Sequence, residues 1–101
     1  MLCALAHELR HVWQCNTDND GFFKDYKGLF EVGDSYSLQK AEIDAVAYSI
    51  LYMESLGHDG MHQIFGSNYE DAYAHPEKNS MFLMQVNLVK THLAYLKNAA
   101  A

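Results

Sequence analysis

One proline in 101 residues, Pro76, leaves long stretches with nothing to interrupt a helix. Three of those stretches repeat their apolar residues at helical spacing. From Leu2 to Gln14 there is no Gly or Pro, and Leu2, Leu5, Leu9, Val12 and Trp13 recur as one face. The run Asn16-Thr17-Asp18-Asn19-Asp20-Gly21 then ends the helix with turn formers. Ser37 suits an N-cap for a half-buried second helix over Leu38 to Leu56, with Gly57 as the C′ residue and Leu38, Ala41, Ala45, Ile50 and Met53 as its apolar content. A last helix runs from near Pro76 or Ser80 to Asn98, its buried stripe formed by Met81, Met84, Leu88, Val89, Leu93 and Leu96. Residues 22–36 read as an irregular connection with one short helical turn, its aromatics packed down onto the helices, and His58 to Phe65 as one short helix before Gly66-Ser67-Asn68 breaks the chain. No segment alternates apolar and polar residues over strand length. The expected fold is all-α, with three main helices.

Half the residues are hydrophobic and 20% are charged, the balance of a globular chain. A net charge of -6, with seven scattered basic residues, argues against nucleic acid as a partner, because phosphate binding needs clustered Lys and Arg. No apolar run reaches the roughly 20 residues that span a bilayer, so no membrane partner is expected, and the N-terminus lacks the basic start of a signal peptide. Cys3 and Cys15 share one helix, roughly 18 Å apart at its rise per residue, too far to bridge. These features point to a reducing, cytoplasmic setting.

Six histidines in so short a chain call for an explanation. Residues 7 to 11 read His-Glu-Leu-Arg-His. In a helix, i and i+4 lie on one face, so His7 and His11 can offer two ring nitrogens to one ion. Neutral imidazole is a good zinc ligand. Glu8 sits about 100° round from His7. That is too far to be the natural third ligand, but suited to taking a proton from water near the metal. The HExxH spacing on a helix is the signature of zinc hydrolases. Leu5, Leu9 and Val12 flank the histidines and are expected to bury the site. A catalytic zinc needs a third protein ligand. Glu42 on the second helix is the choice, because small Ala45, three residues on, lets the helices approach. Asp44 lies about 200° from Glu42 and is the alternative.

His-Glu-Leu-Arg-His-Val-Trp-Gln, followed some thirty residues later by Glu-x-x-Ala-x-x-Tyr, resembles the gluzincin metallopeptidases, most nearly the ImmA/IrrE-like group of small bacterial and phage zincins. The resemblance covers roughly residues 2–52. It implies His7, His11 and Glu42 as zinc ligands, Glu8 as general base, and a peptide or protein substrate. Two departures stand out. Val46 occupies the place where many gluzincins have Asp or Asn. That fold also carries a β-sheet ahead of the motif, which here starts at residue 7. The expectation for residues 1–101 is therefore a single zincin-like helical core without that sheet, or the C-terminal part of a longer domain. Two rival readings are a non-catalytic metal-binding or regulatory module that keeps the helix, and a self-associating helical domain using the Met-rich last helix.

Other groups are assigned lesser roles. Cys3, His7, His11 and Cys15 recur at intervals of four, but one straight helix cannot wrap four ligands round an ion, and buried cysteines are expected. Asn16, Asp18, Asp20 and Gly21 copy the start of a calcium loop, but Lys27 stands where a bidentate glutamate is needed. His58 and His62 read as surface histidines, His75 as a loop residue, and His92 as exposed or singly hydrogen-bonded. Arg10 is expected to face solvent or pair with a carboxylate. Tyr36, Tyr48 and Tyr69 are candidate oxyanion donors.

Overall fold

A computed structural model describes residues 2–100, apart from the side chains of 2, 3, 29, 30, 34 and 100. The expectations placed on Leu2, Cys3, Leu29 and Phe30 concern side chains outside that description. The chain is all-α, with no strand among the described residues. Helix α1 spans Leu2–Phe23, α2 Leu29–Val32, α3 Lys40–Ser55, α4 Gly60–Phe65, α5 Asn68–Ala74 and α6 Ser80–Ala100; 3₁₀ segments cover Gly33–Leu38 and Pro76–Lys78. No described helix is long and apolar enough to cross a membrane.

Helix α3 is the axis of the fold. Residues 41–47 are all buried, because α1, α6 and α4 pack round it from different sides. The half-buried helix expected from sequence is thus a central one, and two of its three carboxylates, Glu42 and Asp44, are inside. Ile43, Val46, Ala47 and Ile50 meet Val89 and Leu93 of α6, with Met61, Ile64 and Phe65 of α4 closing the cluster. Each large apolar side chain buried this way contributes about 1.5–3 kcal/mol. The inner face of α6 is Leu83, Val86, Val89 and Leu93. Met81, Met84 and Leu88, expected inside, are exposed. Helix α6 carries apolar residues on more than one face, and α3 selects which of them is covered.

The ends of the helices follow local chemistry. Gly57, at φ 85°, takes the C′ position. His58 N–H donates to Met53 O at 3.0 Å and Gly57 N–H to Glu54 O at 3.0 Å, the paired bonds of a Schellman cap. The start of α3 differs from expectation. Ser37 lies within the 3₁₀ segment, and Gln39 is the N-cap. The Gln39 side chain accepts from Lys27 N–H at 2.7 Å and donates to Lys27 O at 2.9 Å, which pins the preceding connection to the head of α3. Helix α1 runs past Gln14, with its break at Asp18 (φ -156°, ψ 66°). Asp18 accepts from Gly21 N–H at 3.1 Å, so the acidic turn run recaps a further helical turn. Helix α5 is too short for periodicity to show.

Asp59 caps α4 by accepting from His62 N–H, and α4 opens at buried Gly60. A Cβ on Gly60 would lie 2.6 Å from Ile50 O and 2.8 Å from Ile50 Cγ2. The first of these contacts is with backbone and cannot swing away. Gly60→Ala is therefore expected to destabilise the fold by about 1–3 kcal/mol, the usual cost of overpacking. A denaturation midpoint equal to that of the unmutated chain would show that α4 can shift off α3 freely.

Candidate metal site

Three alanines make the site possible. Ala6 of α1 is 4% exposed, and Ala41 and Ala45 of α3 are fully buried. With no bulk between them, the two helices come close enough for Glu42 to reach across. His7 and His11 project one turn apart from α1, their rings edge-on with centroids 4.7 Å apart. Their Nε2 atoms are 3.1 Å apart. Glu42 Oε1 lies 3.8 Å from His7 Nε2, and Oε2 lies 2.7 Å from His11 Nε2. One donor atom from each residue falls within 4.8 Å of the other two, a group that could hold a metal ion. Two donors each about 2.0–2.1 Å from a tetrahedral zinc are roughly 3.3 Å apart, so the observed spacings bracket what that ion requires.

The electrostatics agree with the spacing. Burial pushes the Glu42 carboxyl up, but its interaction with His7 and the electrostatic pull of His11 and His7 outweigh that and hold it below the ordinary range. Placement in the first turn of α3 also favours an anion. Oε2 lies close to His11 Nε2, yet this buried oxygen has no hydrogen-bond partner among the described residues. An unsatisfied buried carboxylate oxygen is costly. A cation between Glu42 and the imidazoles would satisfy it, so the donor set fits a metal ion.

The chain matches no protein-family model, no curated protein and no solved structure. The donor geometry and its surroundings therefore carry the reading of the site.

Asp44, the alternative third ligand, is engaged elsewhere on α1. At 2% exposure it accepts from Arg10 Nε at 2.7 Å and Arg10 Nη2 at 3.1 Å, from Gln14 Nε2 at 2.8 Å and from His92 Nε2 at 2.7 Å. Burial pushes its carboxyl up, but these bonds prevail and hold it low. Arg10 finds the carboxylate partner expected of it, and its guanidinium also stacks on Trp13, 3.7 Å from the ring centroid. His92 is half-buried and stacks on Tyr95 as well as bonding Asp44.

Glu8 is exposed, beside the donor group. It lines a shallow groove of about 250 Å³ with Ala4, His7, Val46, Ser49 and Ile64. Of the three candidate tyrosines, Tyr36 lies near enough to Glu42 to bear on its ionisation, with Tyr26 hydrogen-bonded behind it. Tyr48 sits under Arg10, and Tyr69 packs on His62. His58, His62 and His75 are at the surface.

Two expectations are corrected. Leu5, Leu9 and Val12 do not cover the histidines; each is 56% exposed, because α1 turns its Ala6–Arg10–Gln14 side to α3 instead. Cys15 is exposed and free rather than buried. Sequence reasoning gave no role to Gln14 or Tyr26. For Gln14 a signal was present: it lies one helical turn beyond Arg10 and three residues after His11, next to the motif face.

Proposed function

We propose that this chain is a zinc-dependent hydrolase of peptide bonds. The observation that carries the reading is the convergence of His7, His11 and a buried, unsatisfied Glu42 on one small volume. His7, His11 and Glu42 would hold the ion, which supplies Lewis acidity to a substrate carbonyl and acidifies water. Glu8 adjoins His7 at the rim and takes the proton from the attacking water, later returning it to the leaving amine. The groove beside it offers apolar Ala4, Val46 and Ile64 to a substrate side chain. The resemblance of the two motifs to gluzincins supports the same assignment.

Elemental analysis after zinc-supplemented expression tests the metal. About one zinc per chain is expected. Glu42→Ala should lower affinity by at least about 100-fold, beyond the roughly 10–100-fold that loss of an outer hydrogen bond costs. An unmutated chain that stays metal-free would overturn the proposal.

A second reading keeps the metal without catalysis. The donor group joins α1 to α3, the pair of helices that the three alanines bring together. An ion there would act as a cross-link within an interaction or regulatory module. Stoichiometric zinc, a fall in Tm on chelation, and no cleavage of a peptide mixture would select it.

A further inference from the structure

The Gln14 side chain is fully buried, and its amide hydrogen bonds leave no freedom in how it is oriented. Nε2 donates to Ala41 O at 2.9 Å and to Asp44 Oδ2 at 2.8 Å. Both partners are acceptors: one is a backbone carbonyl, the other a carboxylate already paired with Arg10. Flipping the amide would set its carbonyl oxygen against two other oxygens. The orientation is therefore fixed, and Oε1 is left to accept. It does so from His11 Nδ1 at 2.8 Å. That nitrogen must carry a hydrogen, because Oε1 has none to give. A neutral imidazole has a single N–H, so Nε2 keeps its lone pair. Nε2 is the atom that faces His7 and Glu42.

We infer that Gln14 is a positioning residue that locks His11 in its Nδ1–H tautomer and so aims the Nε2 lone pair into the donor group. Asp44 of α3 holds Gln14 in that orientation, and is itself held by Arg10, which shares α1 with Gln14, and by His92 of α6. The purpose of this arrangement rests on the metal reading; the tautomer does not. An imidazole whose free nitrogen is already bare and aimed gives up no proton and needs no reorientation when a cation binds. Metal-ligating histidines are commonly fixed in this way through the other ring nitrogen.

The test begins with long-range ¹H–¹⁵N spectra of the metal-free protein at pH 8, above the ordinary histidine range. His11 is expected with Nδ1 protonated and Nε2 bare. Gln14→Met, similar in length but without donor or acceptor, should release that tautomer and weaken Co²⁺ binding by about 10–100-fold. A general loosening of the fold would not by itself reverse the nitrogen shifts. Finding the hydrogen on Nε2, or on both nitrogens, in the unmutated chain overturns the inference. So does a Gln14→Met chain with unchanged His11 shifts and Co²⁺ affinity. Should Gln14→Met not fold, the spectrum of the unmutated chain decides alone. If that spectrum shows the expected tautomer but the chain takes up no Co²⁺, the metal reading fails and the locked tautomer stands.

Discussion

Glu8→Gln is expected to keep the metal and to lose hydrolysis by about 10²–10⁴-fold, the range for removing a general base. The reason is a separation of duties along one turn of helix. The candidate donors are His7, His11 and Glu42, all half-buried or buried, while Glu8 is exposed on the rim beside them. Glutamine has nearly the volume and helix propensity of glutamate, so α1 and its packing on α3 should be unchanged. What disappears is the capacity to accept a proton. Metal per chain and cleavage of a peptide mixture, measured on the same preparation, check both halves. Cleavage that survives the substitution would remove Glu8 from the mechanism. Loss of metal together with cleavage would mean that Glu8 supports the ion and not the proton transfer.

The largest expected effect on stability is at Asp44. Its carboxylate is 2% exposed and joins three helices, through Arg10 and Gln14 of α1 and His92 of α6. Asp44→Ala leaves the Arg10 guanidinium, whose side chain is 12% exposed, without its counter-charge. Removing one partner of a buried pair costs about 3–5 kcal/mol. Domains of this size have about 5–15 kcal/mol in all. At about 4–8 °C per kcal/mol, Tm should fall by more than about 10 °C. The exposed Lys97–Glu54 pair, at 2.9 Å, is the control. Lys97→Ala should cost no more than about 1 kcal/mol, because solvent screens that pair and holding its two flexible side chains in one geometry costs entropy. Thermal melts of the two variants side by side give the contrast. An Asp44→Ala chain that melts with Lys97→Ala would show that the network is dispensable.

The HExxH pair and the end of α3 were legible because both are local. Four residues of α-helix place His11 above His7 whatever else the chain does, and Gly57 reaches positive φ at less cost than any other residue. The helical course of most of the chain was legible for the same reason, since the spacing that marks a helix is set by the helix's own geometry. The break in α1 was misplaced only by a few residues, because Asp18 could either end the helix or cap a new turn, and sequence offers both outcomes.

What sequence alone determined, then, is the helices and the two imidazoles on one face. Tertiary structure decided the rest. Which side of α1 turns inward depends on its partner. Leu5, Leu9 and Val12 form the more apolar face, yet Ala6, Arg10 and Gln14 are turned to α3, where Ala41 and Ala45 permit close approach and Asp44 satisfies the polar groups. Glu42 and Asp44 are two residues apart and chemically alike. The station of each along α1 gives one to the histidines and the other to Arg10 and Gln14. A helix's own period fixes the angle between two such side chains, but only the placement of a second helix fixes what each of them meets.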